Sequence, residues 1–101
     1  MAAYYIVTHT ITDLERYVKE YIPNVGRFLA KYGGEVLVAE PHATPIQGDP
    51  ASGVVIIKFP SEEHIQQFVN DPEYKPIKAI RLAVTTNAHG VMAPEFVRPQ
   101  R

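Results

Sequence analysis

The first patterned stretch of the chain, residues 3–11 (Ala-Tyr-Tyr-Ile-Val-Thr-His-Thr-Ile), is rich in β-branched and aromatic side chains and predicts a strand. The apolar spacing then changes to steps of three and four. Leu14, Tyr17, Val18, Tyr21, Ile22, Val25, Phe28, Leu29 and Tyr32 mark one face of an amphipathic helix about twenty residues long. Thr12, with Glu15 three residues on, predicts a capping box at its start. Pro23 lacks an N–H and presses on the carbonyl of Lys19, which predicts a kink there. Gly33-Gly34 ends the helix.

Glu35–Glu40 predicts a second strand, and residues 41–53, with three prolines and two glycines, a loop with room for a brief edge extension. Residues 54–59 (Val-Val-Ile-Ile-Lys-Phe) form the clearest strand, stopped by Pro60. Ser61 caps the next helix, whose first turn carries Glu62 and Glu63, favourable to the helix dipole. Ile65, Phe68 and Val69 are its buried stripe. Asp71-Pro72 breaks it, with Asp71 placed to cap a new turn. The helix restarts near Pro76 and a weak last strand covers residues 85–93. The order is strand–helix–strand twice over. It predicts an α+β, ferredoxin-like βαββαβ fold: a four-stranded antiparallel sheet with two helices on one face. Residues 1–93 form one expected domain and residues 94–101 a C-terminal arm, docked or disordered.

The faces of the strands carry a further implication. Tyr5, Val7, His9 and Ile11 share the side that leads into the first helix, while Tyr4, Ile6, Thr8 and Thr10 share the other. Val55, Ile57 and Phe59 likewise oppose Val54, Ile56 and Lys58. Both faces carry large apolar residues, and two helices cover only one of them. Leaving ~6 such side chains in water forgoes roughly 1.5–3 kcal/mol each. A homodimer with two sheets face to face resolves this, giving a dimeric α+β barrel. The alternative is a monomer whose 41–53 loop and C-terminal arm fold over the sheet.

Composition narrows the functional classes. The chain of 101 residues is 46% apolar and 21% charged with a net charge of −1, so no global positive field exists to hold a phosphate backbone. Cysteine is absent, which excludes disulfides, thiolate zinc sites and a cysteine nucleophile. No apolar run approaches the ~20 residues of a membrane span, and no secretory signal is present. A cytoplasmic protein without nucleic-acid or membrane partners is expected.

Several short motifs now combine. Tyr32-Gly33-Gly34 ends the first helix, Phe59-Pro60-Ser61 joins the third strand to the second helix, and Pro72-Glu73-Tyr74 with Arg81 follows. With Thr12-Asp13 and a tyrosine-rich first strand, residues 3–92 resemble the domain of unknown function family 1330, of the dimeric α+β barrel superfamily. The resemblance implies the same fold and places Tyr74 and Arg81 in the family motif. It implies no activity. Where many relatives carry an arginine and a glycine pair after the second strand, this chain has Ala39-Glu40-Pro41.

Candidate chemistry is sparse. Lys58, among valines and isoleucines, is expected with Thr8, Thr10 and Tyr4 on the dimer-facing side. It reads as an anion anchor or proton-transfer group, or as an intersubunit ion pair or snorkelling stem. His9 is the one plausible catalytic acid–base group, against the simpler reading of a core histidine bonded to a backbone carbonyl. His42, His64 and His89 have no metal-ligand spacing, and no metal is expected. Lys75, Lys78 and Arg81 beside Tyr74 form an electropositive rim or a solvated helix face. Tyr17, Tyr21, Phe28 and Tyr32 wall an aromatic pocket or simply pack the core. No nucleophile elbow or phosphate-binding glycine loop occurs, so no cofactor is expected.

The resulting expectation is a homodimer binding a small organic anion in a cleft, with Thr8, Lys58, Tyr74 and Arg81 as ligand contacts and His9 as proton shuttle. The alternatives are a non-catalytic scaffold or, by superfamily analogy, a cofactor-independent monooxygenase or isomerase.

Overall fold

The computed structural model describes residues 1–99. Strand β1 (Ala3–Ile11) leads into a helical run made of α1 (Leu14–Arg16), a π-helical turn (Tyr17–Tyr21) and α2 (Ile22–Tyr32). Then follow β2 (Glu35–Glu40), β3 (Gly53–Phe59), α3 (Glu62–Asn70), α4 (Lys75–Ala83) and β4 (Thr85–Pro94). The four strands form one sheet in the order β2-β3-β1-β4, each neighbouring pair antiparallel. This is the ferredoxin-like βαββαβ plan.

The helix start differs from the expected capping box. Asp13, not Thr12, is the N-cap: its carboxylate accepts from the Arg16 N–H at 3.1 Å. The Thr12 N–H is instead engaged by the Val84 carbonyl at 2.8 Å, which ties the strand exit to the end of α4. The irregularity expected at Pro23 also lies one turn upstream. Pro23 cannot donate, so it sits in the first turn of α2, where the helix tolerates it. The preceding turn widens, with the Ile22 N–H reaching the Tyr17 carbonyl five residues back. The Asn24 side chain donates to the Glu20 carbonyl at 2.6 Å. At the far end Gly33 is left-handed (φ 76°), and the Gly34 N–H closes on the Leu29 carbonyl at 2.7 Å.

Ser61 caps α3 as expected, its hydroxyl accepting from the His64 N–H at 3.3 Å. Asp71 caps the following turn, accepting from the Glu73 N–H at 2.8 Å. Its other oxygen accepts from the Tyr32 hydroxyl and from Lys31 Nζ, the latter at 3.0 Å. Residues 41–52 contain no strand, and the Ala43 N–H bonds the Ser52 carbonyl at 2.8 Å across the base of the loop.

The strand phase follows the alternation. Tyr5, Ile57 and Met92 lie in one cross-strand row, and Val7, Val55 and Gly90 in the next, facing the helices. The core beneath the helices gathers Phe28, Phe59, Ile65, Phe68, Tyr74 and Ile77. On the outer face, Val38, Ile56, Ile6 and Val91 form an apolar row across all four strands. Beside it run Glu35, Lys58, Tyr4 and Ala93, and on its other side Glu40, Val54, Thr8 and His89.

Both edges of the sheet carry a register shift: β2 has an extra residue at Leu37, and β4 an extra residue at Asn87-Ala88, where Asn87 adopts φ 51°. Among the described residues, neither Ile46 of the loop nor Phe96 of the arm packs on the outer face. Ile46 is 94% exposed and Phe96 82% exposed. The Glu95 N–H bonds the Ala2 carbonyl at 2.9 Å and residues 95–99 are irregular. The last two residues of the expected arm lie outside the described residues.

Candidate functional site

Alternation in β1 turns Tyr5, Val7 and His9 toward the helices, and the same phase in β3 turns Val55 and Ile57 there. The helical run presents Tyr17, Tyr21, Val25 and Leu29 above them. Between these two layers lies a cavity of about 210 Å³, which also reaches Phe68, Tyr74 and Arg81. The exposed, helix-facing members of its lining mark the mouth: Leu14, Val18 and Ile22 on the helical run, and Val36 and Ala39 on β2. The walls are predominantly aliphatic and aromatic, as ligand pockets generally are. The volume is below the ~300 Å³ at which drug-sized pockets begin, which restricts the interior to a compact group.

The π-helical turn shapes this cavity. Tyr17 and Tyr21, its two ends, are both buried and both line the space. The Tyr21 and Tyr74 hydroxyls bond each other at 2.8 Å. Burial raises the Tyr21 hydroxyl far above its usual titration range, and the neighbouring Tyr74 raises it further. Burial also raises Tyr5 and Tyr17, while the charge of Arg81 pulls both partly back.

Arg81 is 6% exposed, and among the described residues it has no carboxylate partner; the ion pairs present are Arg16–Glu20, Lys19–Glu15 and Lys31–Asp71. A buried guanidinium without a counter-ion is unusual, since desolvating a charge is costly unless it is paired. It faces Tyr21, Tyr74 and Tyr5 instead.

His9 is 1% exposed, and neither ring nitrogen has a hydrogen-bond partner among the described residues. The carbonyl bond expected of a core histidine is therefore absent. Its ring packs edge-on against Tyr17 with centroids 5.5 Å apart. Burial, and secondarily the charge of Arg81, lowers its pKa, so the imidazole is neutral near pH 7. Gly53 pairs with His9, and a β-carbon there would lie 2.6 Å from the His9 carbonyl oxygen and 2.8 Å from ring Cδ2. Only glycine leaves the histidine its present place.

Of the expected site residues, the structure brings His9, Tyr74 and Arg81 to one cavity and separates Thr8 and Lys58 from them. Both lie on the outer face, because each is one residue out of phase with the helix-facing set. Lys75 is exposed and Lys78 half-buried, so Arg81 is the buried residue of that basic cluster. The expected aromatic stripe divides as well. Tyr17 and Tyr21 line the cavity, Phe28 is in the core, and Tyr32 bonds Asp71.

Comparison with known proteins agrees with the topology. The solved structure of RPA0582, a protein of unknown function from Rhodopseudomonas palustris, matches with a TM-score of 0.78 at 15% identity, covering 96% of this chain and 84% of that one. A dimeric protein of unknown function with a ferredoxin-like fold from Bacteroides fragilis matches with a TM-score of 0.62 at 13% identity, over 93% of this chain and 96% of that one. SnoaB of Streptomyces nogalater, described as a cofactor-independent oxygenase, matches with a TM-score of 0.63 at 14% identity, over 99% and 95%. At such identities the likeness is one of fold. No curated protein matches the chain. The sequence also fits a family model over residues 2–93, and on that match the chain belongs to the family described as Domain of unknown function (DUF1330).

Proposed function

We propose that the protein binds a compact organic anion in the cavity between sheet and helical run, with Arg81 as the charged contact and Tyr74 beside it. The observation that carries this reading is the buried Arg81 guanidinium, which has no carboxylate partner among the described residues and lines a mostly apolar space. An anionic group supplied by a ligand satisfies it, and a charge-assisted bond in a dry site is strong.

His9 extends the reading toward catalysis. His9, on the sheet side of the same cavity, is a neutral imidazole whose two buried nitrogens have no partner among the described residues, and proton transfer by it requires that a bound molecule reach them. That chemistry requires no cofactor, which fits the fold shared with a protein described as a cofactor-independent oxygenase.

The assembly in this reading is a homodimer stacking the outer faces of two sheets. The apolar row Val38, Ile56, Ile6 and Val91 would be buried between them, and Thr8 and Lys58 would be interface residues. Support comes from the exposure of Val38 and Val91 on that face, from Ile46 and Phe96, whose exposed side chains do not pack on it, and from neighbours described as dimeric.

The test is calorimetric titration of the purified protein with benzoate and butanoate, beside an Arg81→Met variant. Heat of binding in the wild type and its loss in the folded variant support the anion site. No binding to either protein, with the variant as stable as the wild type or more so, favours a scaffold whose arginine is a dispensable buried charge.

A further inference from the structure

We propose that the cavity takes an alkyl carboxylate head-first, its carboxylate on Arg81 and its tail leaving between Leu14, Val18 and Ile22 on the helical run and Val36 on β2. The proposal rests on the anion reading above and specifies its ligand class. Three observations support it.

The first is the rim. Leu14 is 42% exposed, Val18 52%, Ile22 44% and Val36 47%, and all four line the same opening. Single exposed apolar residues need no explanation, but four converging on the mouth of an apolar cavity form a continuous surface. A ligand confined to the interior leaves that surface wet. A ligand longer than the interior covers it.

The second is the distribution of charge. Among the described residues of the lining, Arg81 is the one cation and is buried, while Glu40, the one carboxylate, ends β2 in register with the outer-face row and so stands outside the cavity. Glu40 is held there by the His42 N–H, which donates to its carboxylate at 3.0 Å. A positive group within, with no carboxylate facing it among the described residues of the lining, attracts an anionic head. The field therefore orients an amphiphile with its head inward.

The third is the polar inventory inside. The Tyr21 and Tyr74 hydroxyls bond each other, one guanidinium is available, and the remaining polar side chains of the inner lining are the neutral His9 ring and the Tyr5 and Tyr17 hydroxyls. A polyol or a polyanion would carry polar groups against Val7, Val25, Leu29, Val55 and Ile57. A single carboxylate on an apolar chain does not.

The experiment is calorimetric titration of the full chain with butanoate, hexanoate, octanoate and decanoate, with decanol and decylamine as head-group controls. Affinity is expected to rise by up to about fourfold for each added methylene that is buried. Decanol and decylamine are expected to bind at least about tenfold more weakly than decanoate, a gap of the size that charge-assisted bonds produce. A Val18→Ser/Val36→Ser double variant changes only exposed positions. It should keep butanoate binding and flatten the dependence on chain length.

The outcomes separate the two readings. Arg81-dependent binding with no length dependence overturns the tail and leaves the anion site standing. No acid bound, or acids bound equally by Arg81→Lys and Arg81→Met, overturns both. If the double variant alters the sedimenting mass and keeps the length dependence, the rim is a contact between copies and the proposal falls.

Discussion

The Tyr21 hydroxyl meets the Tyr74 hydroxyl at 2.8 Å inside the core, so the π-helical turn is tied to the residue that begins α4, 53 positions away in the chain. Each hydroxyl is buried, and each would lose that partner if the other were removed. Tyr21→Phe is expected to cost about 1–2 kcal/mol of stability. Tyr21→Phe/Tyr74→Phe should cost less than the two single changes together, because no orphaned hydroxyl remains. Urea denaturation of all four proteins in a double-mutant cycle reads the coupling.

Asp71 supplies an acid-sensitive clamp. Hydrogen bonds from Tyr32, then Lys31, then the Glu73 backbone hold its carboxyl down at about 2, against 3.8 for an ordinary aspartate. The folded state thus prefers the ionised form. The stabilisation is complete above about pH 3.8 and is lost as pH falls toward 2. Asp71→Asn is expected to be less stable at pH 7 and to lack that acid step, measured by thermal unfolding across pH 2–5.

His9 works in the opposite direction. Its pKa is lowered from 6.5 in the folded protein, so below that value the unfolded chain takes up a proton that the folded one resists. Stability should fall as pH drops below about 6.5. In His9→Gln that part of the slope should be missing, as denaturation midpoints at a series of pH values would show.

Gly53→Ala places a methyl group 2.6 Å from the His9 carbonyl oxygen, a backbone atom that moves only with β1. Overpacking of this kind is expected to cost about 1–3 kcal/mol. In the reading proposed above it should also weaken anion binding, because the same carbon lies 2.8 Å from the His9 ring. Thermal melts and titration with butanoate check the two effects separately.

Ile6 and Ile56 pair at the centre of the outer row. In the stacked-sheet assembly proposed above, the wild type is expected to sediment as a dimer, and Ile6→Lys or Ile56→Asp as a folded monomer. Retention of the wild-type mass by both variants would sink the stacked-sheet assembly.

The fold was legible because its signals are local. The β-branched runs, the step of three and four from Leu14 to Tyr32, and the stops at Gly33-Gly34, Pro60 and Asp71-Pro72 each have a physical reason within a few residues. The site was only half legible. Alternation puts Thr8 and His9 on opposite faces, and Lys58 opposite Ile57, so the expected ligand contacts Thr8, Lys58, Tyr74 and Arg81 are divided between the two sides of the sheet. The π-helical turn was not legible. Pro23 predicts an irregularity, but that it takes the form of a widened turn upstream, with Tyr17 and Tyr21 buried and the turn packed on α4, is a tertiary outcome that no local spacing encodes. Nor does sequence reveal that Arg81, one of three basic residues on α4, lacks a carboxylate partner among the described residues.

The register shifts at the sheet margins have a consequence for solubility. β2 is an exposed edge whose centre, Val36-Leu37-Val38, is the kind of apolar strand that recruits foreign strands during folding and storage. Glu35 and Glu40 flank it as charged gatekeepers, and the extra residue at Leu37 breaks the regular row of free backbone groups. β4 is blunted likewise by its extra residue near Asn87 and by Pro94 at its end. Neither margin is a flat template, so the sheet is guarded against ribbon-like polymerisation from both sides.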